Sequence, residues 1–215
     1  GLYNAYAEGG LPELAIGDLG QRWELQRIAL RLWPSATALQ EVLTALFNAV
    51  ANNPVPFEAI KTVKLSVSQT PFDMHGGFST YKAKFEALLS AHYVAAVFLR
   101  DRTLTLAQFE PACYDDAALR AFAANQVTIA ADPSLKGGQC VAEILTKSGE
   151  TIQARCDFPL GAPENPVTSQ QIEDKFRTYA GSFFPAANVD RIIDMVNDLE
   201  NLSSALDLIE LLRQS

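Results

Sequence analysis

Histidine is scarce in this chain of 215 residues, which holds two, His75 and His92. Cysteine is scarce as well. There are three, an odd number, and no two form a Cys-x-x-Cys pair. These counts argue against a disulfide framework and against a metal centre, zinc above all. A reducing cytoplasm is the compartment they fit best. Long apolar runs are missing too, and none reaches the roughly 18 residues that would read as a membrane span. Positive charge is in deficit, with 17 Lys and Arg against 25 Asp and Glu and a net charge of -8. Such a balance argues against nucleic acid or an anionic membrane as partner, since both need a basic face. It leaves room for a small anion, because a few local arginines can dominate one pocket. No GxxxxGK[ST], GxGxxG or GxSxG motif is present, so phosphate cradles and a nucleophile elbow are not indicated. Two histidines without a local signature give no Ser–His–Asp triad. The start, "GLYNAYAEGG", shows no secretory leader and no initiator Met. It reads as a processed terminus or as a piece of a longer chain.

What is present is an ordinary globular composition, 48% hydrophobic and 20% charged. It suffices for the core of one domain or two small ones. Residues 1–20 are Gly-rich around "LPELAI" and read as the tail of something preceding. "RWELQRIAL" predicts a strand or extended segment, stopped by Pro34. From Thr37 the period changes. Leu39, Val42, Leu43, Leu46, Phe47 and Val50 recur at helical spacing, and Thr37 with Gln40 has the form of a capping box. Val63, Leu65 and Val67 alternate with polar residues and predict a half-buried strand. "TPFDMHGGFST" predicts a loop, broken by proline and two glycines. Ser79 can cap a helix over about 80–100, with the stripe Tyr81, Phe85, Leu88, Leu89, His92, Ala96 and Leu99. Asp115 and Asp116 suit the N-terminus of a short helix. "QVTIAAD" predicts a strand, and "CVAEILT" with "TIQARCDF" a hairpin around the polar turn "KSGE". "PLGAPENPVT" holds three prolines and marks a boundary. Beyond it, Thr168 and Gln171 repeat the capping-box pattern, and two more amphipathic helices follow. The order predicts an α+β domain with an appended helical part whose apolar faces need a partner surface.

Candidate chemistry is sparse. Arg31 in "ALRLWPSATALQ" is either a solvated charge at the end of an extended segment or an anion ligand. A guanidinium grips a carboxylate with two bonds and stays charged. Ser35 in the same stretch joins it as a candidate substrate-binding residue. His92, in mid-stripe, reads as a core histidine or as a general acid or base held near neutral pKa by burial. His75 in "MHGG" reads as an exposed loop residue or as a ligand contact. Lys84 and Tyr93 each read as structural when taken alone.

Several segments together resemble the MmgE/PrpD family, which includes 2-methylcitrate dehydratase and cis-aconitate decarboxylase. They are "LGQRWELQRIALRLWPSAT", "FEALLSAHYVAAVFLRDRTLTLAQF" and "DPSLKGGQCVAEILTKSGETIQARCDFPLGAPENPVTSQQIEDKF". The resemblance covers nearly the whole chain but only the second half of the family's length. It implies an α+β lid domain, with a small antiparallel sheet packed by helices, over residues 25–165. It implies the end of a helical domain over 1–24, and helices returning to that domain over 166–215. The helical domain itself is then supplied by another chain or was removed. The implied activity is a metal-independent lyase without organic cofactor, a dehydratase of the 2-methylcitrate type acting on a small polycarboxylate. An isomerase or epimerase using the same proton chemistry is one alternative, and a non-catalytic subunit or binding module is another. The isolated half is expected to be inactive, and the complete protein a homo-oligomer. By the resemblance, Arg31 stands where the family has a lysine, Ala36 where it has a histidine, and Phe72 near a family tyrosine. These departures count against cis-aconitate decarboxylation and leave a dehydratase or epimerase. His75 and His92 are the candidate catalytic residues. Arg31, Ser35, Lys84 and Tyr93 are the candidate substrate-binding residues.

Overall fold

A computed structural model describes residues 17–213. The "LPELAI" patch and most of the expected 1–24 segment lie outside them. Residues Glu24–Arg27 form one 3-10 turn, not the strand expected there. Leu25, Ile28 and Leu30 are exposed. The segment has no strand neighbour to take its backbone groups, and the Leu30 N–H bonds instead to the Gly161 carbonyl at 2.8 Å.

A 3-10 turn over Thr37–Leu39 leads into α1, Gln40–Asn52. The expected Thr37–Gln40 capping box does not form, because Thr37 already lies inside the turn and Gln40 points back along the chain. Leu39, Val42, Leu43 and Leu46 are buried as the periodicity predicts, while Phe47 is 41% exposed. Next comes β1, Ile60–Val67, with Val63, Leu65 and Val67 buried.

The expected loop after β1 is largely a helix, α2, Gln69–His75. Pro71 falls in its first turn, where its missing N–H has no intrahelical acceptor to lose. Gly76 closes it, in contact so tight that a Cβ there would lie 2.7 Å from the Phe72 carbonyl oxygen. The proline and glycines therefore delimit a helix instead of breaking one.

The single helix expected over 80–100 is two, α3, Lys84–Leu89, and α4, Ala91–Asp101. Ser90, not Ser79, caps α4. Its hydroxyl accepts from the Tyr93 N–H at 3.0 Å and donates to the Phe78 carbonyl at 2.5 Å. Every residue from Ala91 to Leu99 is buried, so α4 is the central helix of the core. Then follow α5, Pro111–Tyr114, and α6, Ala117–Gln126. Asp116 caps α6 through the Leu119 N–H at 2.8 Å.

Three further strands are β2, Val127–Ala131, β3, Cys140–Thr146, and β4, Thr151–Cys156. The sheet order is β2-β1-β3-β4. The expected hairpin is the antiparallel pair β3–β4, and β3 also pairs antiparallel with β1. β2 runs parallel to β1, so the sheet is mixed and not antiparallel throughout. The physical reason is the connection. The chain between β1 and β2 passes through five helices, enough length to return to the same end of the sheet. Helix α1 packs on β3 and β4, and α4 lies against α1. The domain is α+β.

The C-terminal helices are α7, Ser169–Ala180, α8, Ala186–Asn197, and α9, Ala205–Leu212. Here the predicted capping box forms, with Gln171 N–H on Thr168 Oγ1 at 3.2 Å and Thr168 N–H on Gln171 Oε1 at 2.8 Å. Ala180, Val189 and Ile193 make a small core of their own. Phe183, Val196, Leu206, Ile209 and Leu212 are left largely exposed. No helix among the described residues is long and apolar enough to cross a membrane.

Candidate functional site

The turn "LWPSA" is held by two groups. The Trp33 ring packs edge-on against Phe98, with centroids 5.9 Å apart. The buried Gln40 amide does the rest. Its oxygen accepts from the Trp33 N–H, and its nitrogen faces the carbonyls of Trp33, Ser35 and Ala36 at 3.2–3.5 Å. Arg31 precedes this fixed turn and is exposed, and its guanidinium donates weakly to the Ser35 carbonyl at 3.4 Å.

Lys175 of α7 approaches from the other side. Its Nζ donates to the Arg31 carbonyl at 2.6 Å. Arg31, Ser35, Leu88, Lys175 and Tyr179 line a cleft of about 340 Å³ with Trp33 and Pro34. That volume is within the range of small-molecule sites, about 300–1,000 Å³. No carboxylate lines the cleft. Among the described residues neither cation forms an ion pair. Two cations left without counter-ions in one concavity, on a chain of net charge -8, can attract an anion. Ser35 lines this cleft, but its own hydroxyl is engaged by the Leu88 carbonyl at 3.1 Å.

On the other side of the same turn lies a larger cavity of about 770 Å³. Ala36, Glu41, Ser68, Gln69 and His75 contribute to its lining. The His75 imidazole is buried, and Nδ1 lies 2.8 Å from the Leu89 carbonyl. A carbonyl can only accept, so Nδ1 carries the proton and Nε2 keeps its lone pair. Nε2 has no hydrogen-bond partner. Burial lowers the imidazole pKa, with the Leu89 carbonyl opposing. The Glu41 carboxyl is 2% exposed and its Oε1 is likewise without a partner. Burial raises its pKa to about 7, with the Gly138 backbone pulling the other way. No lysine or arginine lines this cavity to hold Glu41 ionised.

The remaining predicted residues lie elsewhere. His92 is buried with Nδ1 unpartnered and lines neither cavity. The Tyr93 hydroxyl donates to the Gln108 carbonyl inside the core. Lys84 is exposed and pairs with Glu110 at 2.5 Å. The structure thus joins Arg31 to Ser35, sets His75 in the neighbouring cavity, and separates both from His92, Lys84 and Tyr93. It adds two residues that sequence reasoning missed. Lys175 sits 144 positions from Arg31, and nothing local links them. Glu41 is one charge beside an apolar stripe, indistinguishable in sequence from a solvated residue. His75 was expected on a loop and is on α2.

An α+β domain with a cationic cleft beside a buried acid and imidazole is thereby defined, and comparisons with known proteins agree on its family. Residues 33–201 match the MmgE/PrpD C-terminal domain. The chain belongs to the MmgE/PrpD family, of which it carries this C-terminal domain. It is 26% identical over 212 residues to a cis-aconitate decarboxylase-like protein of Aspergillus oryzae, covering 94% of this chain and 44% of that protein. It is 26% identical over 216 residues to a cis-aconitate decarboxylase of Aspergillus terreus, covering 93% and 43%. A human cis-aconitate decarboxylase is 27% identical over 134 residues, covering 61% and 28%. The chain spans less than half the length of these curated relatives.

Proposed function

We propose that this chain is the lid half of a lyase acting on a small polycarboxylate, a dehydratase of the 2-methylcitrate type. The observation that carries the proposal is the cleft where Arg31 and Lys175 meet without counter-ions. A di- or tricarboxylate supplies the missing negative charge, and Arg31 offers the two-pronged grip that suits a carboxylate. The family match supports the same chemistry. In this scheme residues 25–165 form the lid and 166–215 return to a helical domain absent from this chain. That domain covers the exposed apolar side chains of α8 and α9, Val196, Leu206, Ile209 and Leu212 among them. The complete protein is a homo-oligomer, and the isolated half does not turn over.

A second reaction is favoured by the relatives, two of which are named cis-aconitate decarboxylase. The two are separated by product. The full-length protein, given 2-methylcitrate and cis-aconitate in turn, loses water from the first or releases CO2 from the second. For the site, Arg31→Ala in the full-length protein raises KM for the accepted substrate about 10-fold or more, the worth of one charge-assisted bond. An unchanged KM removes Arg31 from the site.

A further inference from the structure

We propose that Tyr179 is a substrate-binding residue, its phenol donating a hydrogen bond to a carboxylate held by Arg31 and Lys175. The proposal rests on the polycarboxylate reading put forward above and adds a neutral third donor to its two cations. Three observations lead to it. First, Tyr179 lines the cleft of about 340 Å³ together with Arg31 and Lys175. It stands four residues after Lys175 on α7, so the two side chains rise from one face of that helix. Lys175 in turn is bonded to the Arg31 carbonyl at 2.6 Å, which brings this face of α7 against the turn. Second, Tyr179 is part-buried, and its hydroxyl has no hydrogen-bond partner among the described residues. That oxygen is not sealed from water. The buried side-chain atoms left without partners belong to Glu41, His75, Tyr81 and His92. The Tyr179 hydroxyl is therefore both free and within reach of a ligand. Tyr93, by contrast, spends its hydroxyl on the Gln108 carbonyl inside the core. Third, burial holds the Tyr179 pKa above the ordinary tyrosine value. At neutral pH the phenol keeps its proton and donates it, adding no negative charge to the cleft.

The surroundings say where the carboxylate sits. A second cleft, of about 210 Å³, shares Trp33, Lys175 and Tyr179 with the first and contains Asp174. The Asp174 carboxylate makes that side the poorer place for an anion, although Arg177 reaches it at 3.5 Å. The anion settles on the Arg31 side of Tyr179. There Trp33, Pro34 and Leu88 supply an apolar wall, and the Ser35 hydroxyl is engaged by the Leu88 carbonyl. The side-chain groups left to meet a ligand are a guanidinium, an ammonium and a phenol. All three donate, and an ionised carboxylate only accepts.

The test uses the full-length protein with citrate, 2-methylcitrate and cis-aconitate as probes, and reads Kd by calorimetry at two salt concentrations. Tyr179→Phe keeps the ring and removes the hydroxyl. It is expected to weaken binding about 10-fold or more, the worth of one hydrogen bond to a charged group. Its salt dependence is expected to match wild type, because the group removed carries no charge, whereas Lys175→Met flattens it. A role in packing alone would leave Tyr179→Phe like wild type and weaken only Tyr179→Ala. A Kd within about 2-fold of wild type in Tyr179→Phe overturns the proposal. So does an altered salt dependence in that variant, since the effect would then run through the cations. Weakened binding by Lys175→Met in the same experiment leaves the polycarboxylate site standing in either case. A wild-type protein that binds none of the probes overturns that site, and the role of Tyr179 with it.

Discussion

Lys175 and Arg31 stand 144 residues apart in the chain and side by side in space, the Lys175 ammonium bonded to the Arg31 carbonyl at 2.6 Å. The contact ties α7 to the turn before α1 and sets two positive charges over one cleft. Lys175→Met keeps the stem and removes the charge. We expect the full-length protein to bind a tricarboxylate about 10-fold more weakly after this change, with the binding of wild type falling more steeply as salt rises. Isothermal calorimetry at two ionic strengths measures both.

Gln40 fixes that turn from inside. It is 3% exposed and its amide meets four backbone groups between Trp33 and Ala36. Gln40→Ala leaves the Trp33 N–H buried and unpaired, while the carbonyls of Trp33, Ser35 and Ala36 keep the Ser35 N–H, the Arg31 guanidinium and the Leu39 N–H as donors. We expect a loss of about 1–3 kcal/mol in urea unfolding, the cost of one stranded buried donor.

Glu41 makes stability depend on pH in a defined direction. Its pKa in the folded state is about 7, raised from 4.5 by burial. The folded protein therefore holds this proton more tightly than the unfolded chain does. The stabilisation is present in full below pH 4.5 and is lost as pH rises through 7, a change of about 3 kcal/mol across the window. His75 and His92 act oppositely, because burial lowers both pKa values. Their contribution is present above pH 6.5 and lost as pH falls. The clean measurement is the difference between wild type and Glu41→Gln in urea at pH 5 and pH 8. The variant is expected to gain relative stability at the higher pH. The buried Cys140 and Cys156 thiols feel the Glu41 charge, but burial pushes both far above this window.

His92 is expected to be dispensable for chemistry. It lies in the buried run of α4, away from both cavities, with Nδ1 unsatisfied. His92→Leu removes a buried polar group without a partner. We expect turnover within about 2-fold of wild type and stability equal or higher, by thermal unfolding. A loss of turnover with stability retained would reinstate His92 as a site residue.

Gly161 supports the segment that carries Arg31. Its φ is +97° and its carbonyl accepts from the Leu30 N–H. A Cβ at 161 would collide with the Leu30 carbonyl oxygen. Gly161→Ala combines backbone strain with that clash, and we expect a loss above about 2 kcal/mol together with weaker substrate binding.

Much of the fold was legible because its signals are local. Alternation marked β1, the polar turn marked the β3–β4 hairpin, and the Thr168–Gln171 box forms as read. The Thr37–Gln40 pair has the same spelling and does not cap. Gln40 gains more by satisfying the Trp33–Ala36 turn, a competition visible only when Trp33 is pinned against Phe98. Pro71 and Gly76 spelled a loop, yet they sit at the two ends of α2, where neither costs the helix a hydrogen bond.

By itself the sequence determined the elements whose information is carried within a few residues, the α+β class, and the unspent apolar faces at the C-terminal end. It also placed Arg31 and His75 among the candidates. Only the tertiary structure decided what surrounds them. A charge acquires chemistry from its neighbours and its distance from water. Chain folding brought Lys175 to Arg31, withdrew Glu41 from solvent, and buried His75 beside a cavity that Glu41 also lines.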